Sequence, residues 1–215
     1  FTEGEHTKTI ENINPVLSEN SKILEESTKQ RRTSREENHT FICLAKHFGQ
    51  RQLPVPEILA ASDDEMRYLQ TDLGHVSLFD AIQGGREAGG RYNLKEVDLL
   101  RRTIRELPNI QIRGARGLDF SQCYPQPEFD QDSVLFDLNY FKYCFLKATE
   151  IDFHEMKLEA NFRMFAKDLT AEPMEAFLYR DFQARNVMLD DEGNPFFIDF
   201  QGGRKGPFSV SYTHL

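Results

Sequence analysis

The spacing of apolar residues divides this chain into segments of different character. Residues 1–40 carry only seven apolar side chains, Phe1, Ile10, Ile13, Val16, Leu17, Ile23 and Leu24. So few cannot bury a layer of their own, and a thin strand layer or partial disorder is expected there. Ser34 with Glu37 three residues on makes a capping box, and Phe41, Leu44, Ala45 and Phe48 follow at helical spacing until Pro54 and Pro56 end the run. Residues 68–74 predict a short strand running into a turn. A helix near Ser77 should give way to a flexible loop at Gly84-Gly85 and Gly89-Gly90. Val97, Leu100, Ile104 and Leu107 predict an amphipathic helix that Pro108 stops. Residues 108–132, with Gly114, Gly117, Pro125 and Pro127, read as a long ordered loop. Residues 137–146 are apolar nearly all round, which predicts a helix at the centre of a helical domain. Met156, Leu158, Phe162, Phe165 and Leu169 predict a second helix.

The pattern changes over residues 176–201. Residues 176–179 and 187–189 predict strands, Asp190-Asp191-Glu192-Gly193-Asn194 a turn, and residues 196–198 the returning strand. This hairpin separates two polar clusters, Asp181 to Asn186 and Asp199-Phe200-Gln201. Folding the chain back would bring Asn186 at its entry beside Asp199 at its exit. An amide oxygen and a carboxylate are the hard oxygen ligands that Mg²⁺ takes, with water and phosphate oxygens completing the shell. Asp181, on the loop before the hairpin, can then face an incoming hydroxyl. One group for a nucleophile and two for a metal suit phosphoryl transfer, which depends mainly on positioning and charge neutralisation.

Composition narrows the class. The 215 residues suffice for one large domain or two small ones. With 35 acidic against 26 basic side chains the net charge is −9, which argues against a nucleic-acid partner. A phosphate pocket stays open to it, since that needs only a few local donors. The longest apolar runs, such as residues 41–45, are too short to span a bilayer, so no membrane partner is expected. No charged-then-apolar leader opens the chain. Cys43, Cys123 and Cys144 form neither a disulfide framework nor a zinc pattern, which predicts a reducing cytoplasm. The chain begins at Phe1 and its last residues follow no pattern set up before them. It is therefore expected to be a piece of a longer protein, with a foreign tail over residues 208–215.

Asp181-x₄-Asn186 and Asp199-Phe200 match the catalytic-loop and metal-binding motifs shared by protein kinases and aminoglycoside phosphotransferases. With Tyr179-Arg180 before Asp181 and Gln201-Gly202-Gly203-Arg204-Lys205-Gly206-Pro207 after Phe200, the chain resembles a bacterial branch of the aminoglycoside phosphotransferase/choline kinase family. That branch is similar to the amino-sugar kinases that phosphorylate N-acetylmuramate or N-acetylglucosamine at the anomeric position. The likeness runs from about Ser34 to Pro207, through Leu53-Pro54-Val55-Pro56-Glu57 and Asp137-Leu138-Asn139-Tyr140-Phe141-Lys142-Tyr143. It implies an α+β, protein-kinase-like two-lobed fold: a small, shortened N-terminal nucleotide-binding lobe over residues 1–72 and a truncated helical catalytic lobe over residues 73–207. It implies ATP and Mg²⁺ as cofactors and a small hydroxylated acceptor, a sugar or amino sugar. By the same resemblance Asp181 orients or deprotonates the acceptor hydroxyl, and Asn186 and Asp199 hold Mg²⁺ on the ATP phosphates. Residues 68–72, with Leu69, Gln70 and Asp72, would be the strand linking two lobes, whose backbone meets the adenine edge. Glu37 would partner an ATP-binding lysine.

Departures from the family pattern favour a second reading, a catalytically inactive nucleotide-binding or scaffold protein, or an inactive fragment. Gly4 is the sole glycine before residue 40, so a glycine-rich phosphate loop is missing there, and Lys22 and Lys29 are candidates for the lysine by position alone. Tyr179 stands where many relatives have His, and Gln201 where protein kinases have Gly. Plainer roles accompany the sharp ones. Asp and Asn favour hairpin ends for backbone reasons. Arg180 and Arg185 suit carboxylate pairing as well as phosphate. Residues 137–147 suit a core, residues 202–206 a linker, and Asp63-Asp64-Glu65 a solvated turn. His47, His75 and His154 have no partners at metal spacing.

Overall fold

A computed structural model describes residues 21–171, 173 and 175–207, with side chains described from Ser34 onward. Among them are six α-helices and three antiparallel strand pairs. Helix α1 (Ser21–Gln50) runs unbroken through Ser34. The expected capping box at Ser34 and Glu37 is therefore not a helix start, because amide groups inside a continuous helix already bond to carbonyls four residues back. Lys22 and Lys29 stand on this helix rather than on a strand. Phe41, Leu44, Ala45 and Phe48 are buried along one face, at the spacing expected of them. Residues 1–20, the rest of the expected strand layer, lie outside the described residues.

Strands β1 (Ile58–Ala61) and β2 (Tyr68–Gln70) pair with a register shift between Ile58 and Ala60. Ser77 caps α2 (Leu78–Ala81), and α3 (Gln83–Glu87) follows directly. Gly84 and Gly85 are thus helical, contrary to the expected loop. Gly85 is needed for space: a Cβ there would come 2.0 Å from Tyr92 Cδ1. The turn is made by Gly89 and Gly90, at φ +68° and +87°.

Helix α4 (Leu94–Pro108) opens on a capping box of Asn93 and Glu96. Its buried stripe is Glu96, Leu99, Thr103 and Leu107, and the expected stripe member Ile104 is 51% exposed. The cause is Glu96, whose carboxylate turns inward to accept from Gly85 N at 2.9 Å and Asn93 N at 2.8 Å. Pro108 does not stop the chain's winding, which continues as a π-turn (Asn109–Arg113). That wider turn accommodates a break in the regular hydrogen-bond ladder.

Helix α5 (Gln131–Phe141), a second π-turn (Lys142–Leu146) and α6 (Glu155–Leu169) form a packed pair. The expected central core helix is not central. Phe136, Tyr140 and Tyr143 are 71%, 66% and 57% exposed. Inward, Val134 and Ala166 join Phe129 and Leu178 in a small separate core.

Strand β3 (Ala176–Leu178) pairs with β6 (Arg204–Gly206), and β4 (Val187–Leu189) pairs with β5 (Pro195–Phe197). Residues 202–206 are therefore built into the fold rather than a linker, and a Cβ on Gly203 would lie 2.1 Å from Phe177 Cζ. The main core joins α1 and α4 to these strands around Phe48, Phe177, Tyr179, Phe197 and Phe200. Among the described residues no helix is long and apolar enough to cross a membrane.

Candidate active site

The β4–β5 hairpin closes on Asp190, whose carboxylate accepts from the amides of Glu192 (2.9 Å) and Asn194 (2.7 Å), with Gly193 at φ +78°. Its open end is fastened by Ile198 N donating to Asn186 O at 3.0 Å. That register sets Asn186 and Asp199 side by side, with Asn186 Nδ2 3.3 Å from Asp199 Oδ2. The same nitrogen donates to the backbone carbonyl of Asp181 at 2.9 Å. A carbonyl only accepts, so this bond fixes which way the amide faces. Asn186 Oδ1 is left without a hydrogen bond from any described residue.

Two non-glycine residues of the site have left-handed backbones, Arg180 at φ +67° and Asp199 at φ +64°. Such conformations persist only where the surroundings over-determine them. Around Asp199 those surroundings are aromatic. Phe200 stacks on Phe41 of α1 at 4.9 Å, meets Phe48 edge-on at 5.3 Å, and Phe41 stacks on Tyr68 of β2 at 5.1 Å. Helix α1 and the β1–β2 hairpin are thereby keyed to the residue after Asp199. Burial raises the Tyr68 phenol above its ordinary range, and the charge of Asp199 adds to it. Tyr179, fully buried, is raised well above that range by burial and by the charges of Asp199 and Asp181.

Gln201 Nε2 donates to Asp199 Oδ1 at 2.7 Å, so one carboxylate oxygen is steered by Gln201 and the other lies toward Asn186. Asp181 is solvent-exposed, and Gly202 backs its carboxylate: a Cβ on Gly202 would come 3.2 Å from Asp181 Oδ2. Asn186 thus joins the two loops, bonded to the backbone of Asp181 and to the carboxylate of Asp199. Among the described residues no group of three or more His, Cys, Asp and Glu side chains gathers as a metal-binding cluster. The donor set here is instead one amide oxygen and one carboxylate, which fits a cation that takes few protein ligands and completes its shell with water and phosphate oxygens.

The sequence model of the phosphotransferase enzyme family matches residues 27–210. The chain belongs to this family. It is a kinase-like phosphotransferase by family, with the α+β, protein-kinase-like fold of that family. A search of curated proteins finds no match.

The remaining residues of interest in this phosphotransferase are more scattered. Leu69 is 53% exposed on β2, and Asp72 Oδ1 accepts from Gly74 N at 2.9 Å in the following turn. Gln70 Oε1 is a buried oxygen without a hydrogen-bond partner among the described residues. Glu37 is half-buried within α1, and the lysines considered for it fall where side chains are not described. Arg180 pairs with Asp137, and Arg185 lies 3.9 Å over the Phe79 ring, which Arg86 also covers at 3.3 Å. Asp137, Gln201 as a steering group and the phenol of Tyr179 were not singled out from sequence. Asp137 and Gln201 stand inside the family-like strings, but no spacing rule tells which carboxylate an arginine 43 residues away will find.

Proposed function

We propose that this phosphotransferase moves the terminal phosphoryl group of ATP, as its Mg²⁺ complex, to a hydroxyl of a small acceptor, a sugar or amino sugar. The observation that carries the reading is the amide of Asn186. Its nitrogen bonds to the Asp181 carbonyl and to Asp199 Oδ2, and its oxygen accepts no hydrogen bond from any described residue, which suits joint ligation of a hard cation with Asp199. Bound there, Mg²⁺ would supply charge neutralisation on the transferred phosphate.

The chain's own groups do the rest. Asp181, exposed and backed by a glycine, accepts a hydrogen bond from the acceptor hydroxyl and takes its proton as the new P–O bond forms and ADP leaves. Asn186 ties the Asp181 backbone to Asp199, so the base and the metal ligands keep one spacing. The β1–β2 hairpin, with Leu69, Gln70 and Asp72, is proposed as the adenine side. Gln70 Oε1, an orphaned acceptor on that strand, supports a polar ligand nearby.

A neighbouring open cleft of about 620 Å³, lined by Phe79, Asp80, Gln83, Arg86, Glu87 and Tyr92, is proposed as the acceptor's place. Phe79 lies under Arg185, one residue from Asn186, so the cavity adjoins the catalytic segment. Its mixture of carboxylates, an amide, a phenol and a guanidinium offers both acceptors and donors to hydroxyl groups.

Calorimetry with ATP, with and without Mg²⁺, and turnover with a panel of amino sugars test the reading. Asp181→Ala is expected to lower kcat by about 10²–10⁴-fold with ATP affinity largely intact. Asp199→Ala is expected to weaken Mg²⁺-ATP binding itself. Equal loss of binding in both variants would show the roles to be misassigned, and binding without any turnover would favour an inactive nucleotide-binding protein.

A further inference from the structure

We infer that Asp137 is a positioning residue for the transfer reaction: through its ion pair with Arg180, it holds the strained backbone turn that leads into Asp181. The inference rests on the reading of Asp181 as the group that meets the acceptor.

The amide of Asp181 donates to the carbonyl of Tyr179 at 2.9 Å, closing a hydrogen bond across Arg180 alone, which sits at φ +67°. A bond from residue i to i+2 about a positive φ is the rare, strained γ-turn. Something outside the turn must hold it. Arg180 Nη2 donates to both oxygens of Asp137, at 2.9 and 2.8 Å, and its Cζ lies 5.5 Å from the Phe129 ring. Relaxing Arg180 to an ordinary backbone would carry its guanidinium away from that carboxylate.

The second stretch lies on the far side of Asp181. Arg204 is 4% exposed, and its hydrogen bonds, from Nε and Nη2 to the carbonyl of Gly202, are both 3.4 Å. These are long bonds for so buried a charge. Burial and the nearby charge of Arg180 bring Arg204 down to about 10, while Asp137, and after it Cys123 and Asp130, oppose that fall. Among the described residues Asp137 is ion-paired with Arg180 alone, so the Arg204 stretch serves as the comparison for the Arg180 turn. Gly202, the residue Arg204 holds, is the same glycine that backs Asp181 Oδ2. Removing Asp137 leaves the Arg180 guanidinium without the carboxylate that fixes it, and the turn loses the bond that holds it from outside.

Residue-resolved hydrogen exchange on the wild-type chain and on Asp137→Asn, Asp137→Glu and Arg180→Met tests this without requiring turnover. Asp137→Asn is expected to speed exchange about tenfold or more at residues 181–182, with residues 203–205 and the Leu44 and Phe48 amides unchanged. Asp137→Glu should restore much of the protection. Arg180→Met should loosen residues 181–182 while leaving 203–205 protected. In turnover, Asp137→Asn should lower kcat about 10–100-fold with KM for ATP within about twofold. Uniformly faster exchange across the whole chain, or no change at residues 181–182, overturns the inference. Should Asp137→Asn unfold the chain, Asp137→Glu and Arg180→Met carry the same comparison. A wild-type chain that turns over no acceptor overturns the phosphotransfer reading alone, and exchange still decides whether Asp137 holds the turn at Arg180.

Discussion

Tyr179 precedes the strained turn and is completely buried, with its hydroxyl donating to the carbonyl of Ile198, the residue before Asp199. One phenol thus ties the strand leading into Asp181 to the strand leading into Asp199. Its ring meets Phe182, Phe197 and Phe200 edge-on or at steep angles, at 5.7, 6.2 and 6.5 Å. The ring and the hydroxyl can be separated experimentally. Tyr179→Phe keeps the packing and strips the donor from a buried carbonyl, an omission that costs about 1–3 kcal/mol. Denaturant unfolding should show that loss. Calorimetry should show Mg²⁺-ATP binding weakened by less than about tenfold, because Asp199 keeps its own partners Asn186 and Gln201. Unchanged stability would mean that the hydroxyl's bond is not a support of the site.

Among the elements, those set by local chemistry were legible in the sequence and those set by distant partners were not. The β4–β5 hairpin could be read because its turn residues, Asp190, Gly193 and Asn194, satisfy one another locally. The same holds for the Ser77 cap of α2 and the apolar face of α1. Helix α4 was placed correctly but rotated, since nothing in its own spacing says that Glu96 turns inward to serve Gly85. Strand β6 was missed because its partner β3 lies more than two dozen residues away and its sequence, Arg204-Lys205-Gly206, is polar. Within the site, the spacing from Asp181 through Asn186 to Asp199 was legible, while Asp137 came from another helix altogether. The aromatic run on α5 was misjudged because apolarity all round a helix implies burial only when neighbours exist on every side. Here α6 and Leu178 cover one side. A direct contrast follows. Phe136→Lys and Tyr140→Lys should each shift unfolding free energy by no more than about 0.5 kcal/mol, whereas Phe177→Ala should cost about 3–5 kcal/mol. Urea melts of the three variants decide it, and a large loss at Phe136 would mean that its face is covered in solution.

At the scale of the whole molecule, α1 is joined to the rest by its buried aromatic face and by a polar seam. The seam consists of Asn38 donating to the Glu65 carbonyl at 3.0 Å, Thr40 donating to the Gln122 carbonyl at 2.8 Å, and His39 between the two. His39 Nδ1 lies 2.8 Å from Glu65 Oε2, and its Nε2 lies 2.8 Å from Gln122 Oε1. Both partners are acceptors, so the seam is complete only when both ring nitrogens carry protons. Glu65 is therefore anchored to α1 rather than part of a merely solvated turn. The bond to Gln122 is the largest influence raising His39 above its ordinary value. The bond to Glu65 and its charge add to it, against burial and the like charge of Arg35 on the same helix. Cys43 Sγ, 3.5 Å from Nε2, is the other polar group at the ring. A pKa higher in the folded chain than in the unfolded one means that protonated His39 binds folding to protons. Its contribution is complete below the unfolded value of about 6.5 and is lost as pH rises through the folded value. The His39 side chain is 39% exposed, so solvent screening keeps the effect under about 1 kcal/mol. His39→Gln should accordingly lower the melting temperature more at about pH 5.5 than at about pH 8.5, where the wild-type ring is neutral and one of its two acceptors has lost its donor. An equal loss at both pH values, or a larger one at the alkaline end, would show that α1 is held by its aromatic face alone. Because Phe41 of that face also carries the stack on Phe200, the two seams of α1 bear on the same end of the site.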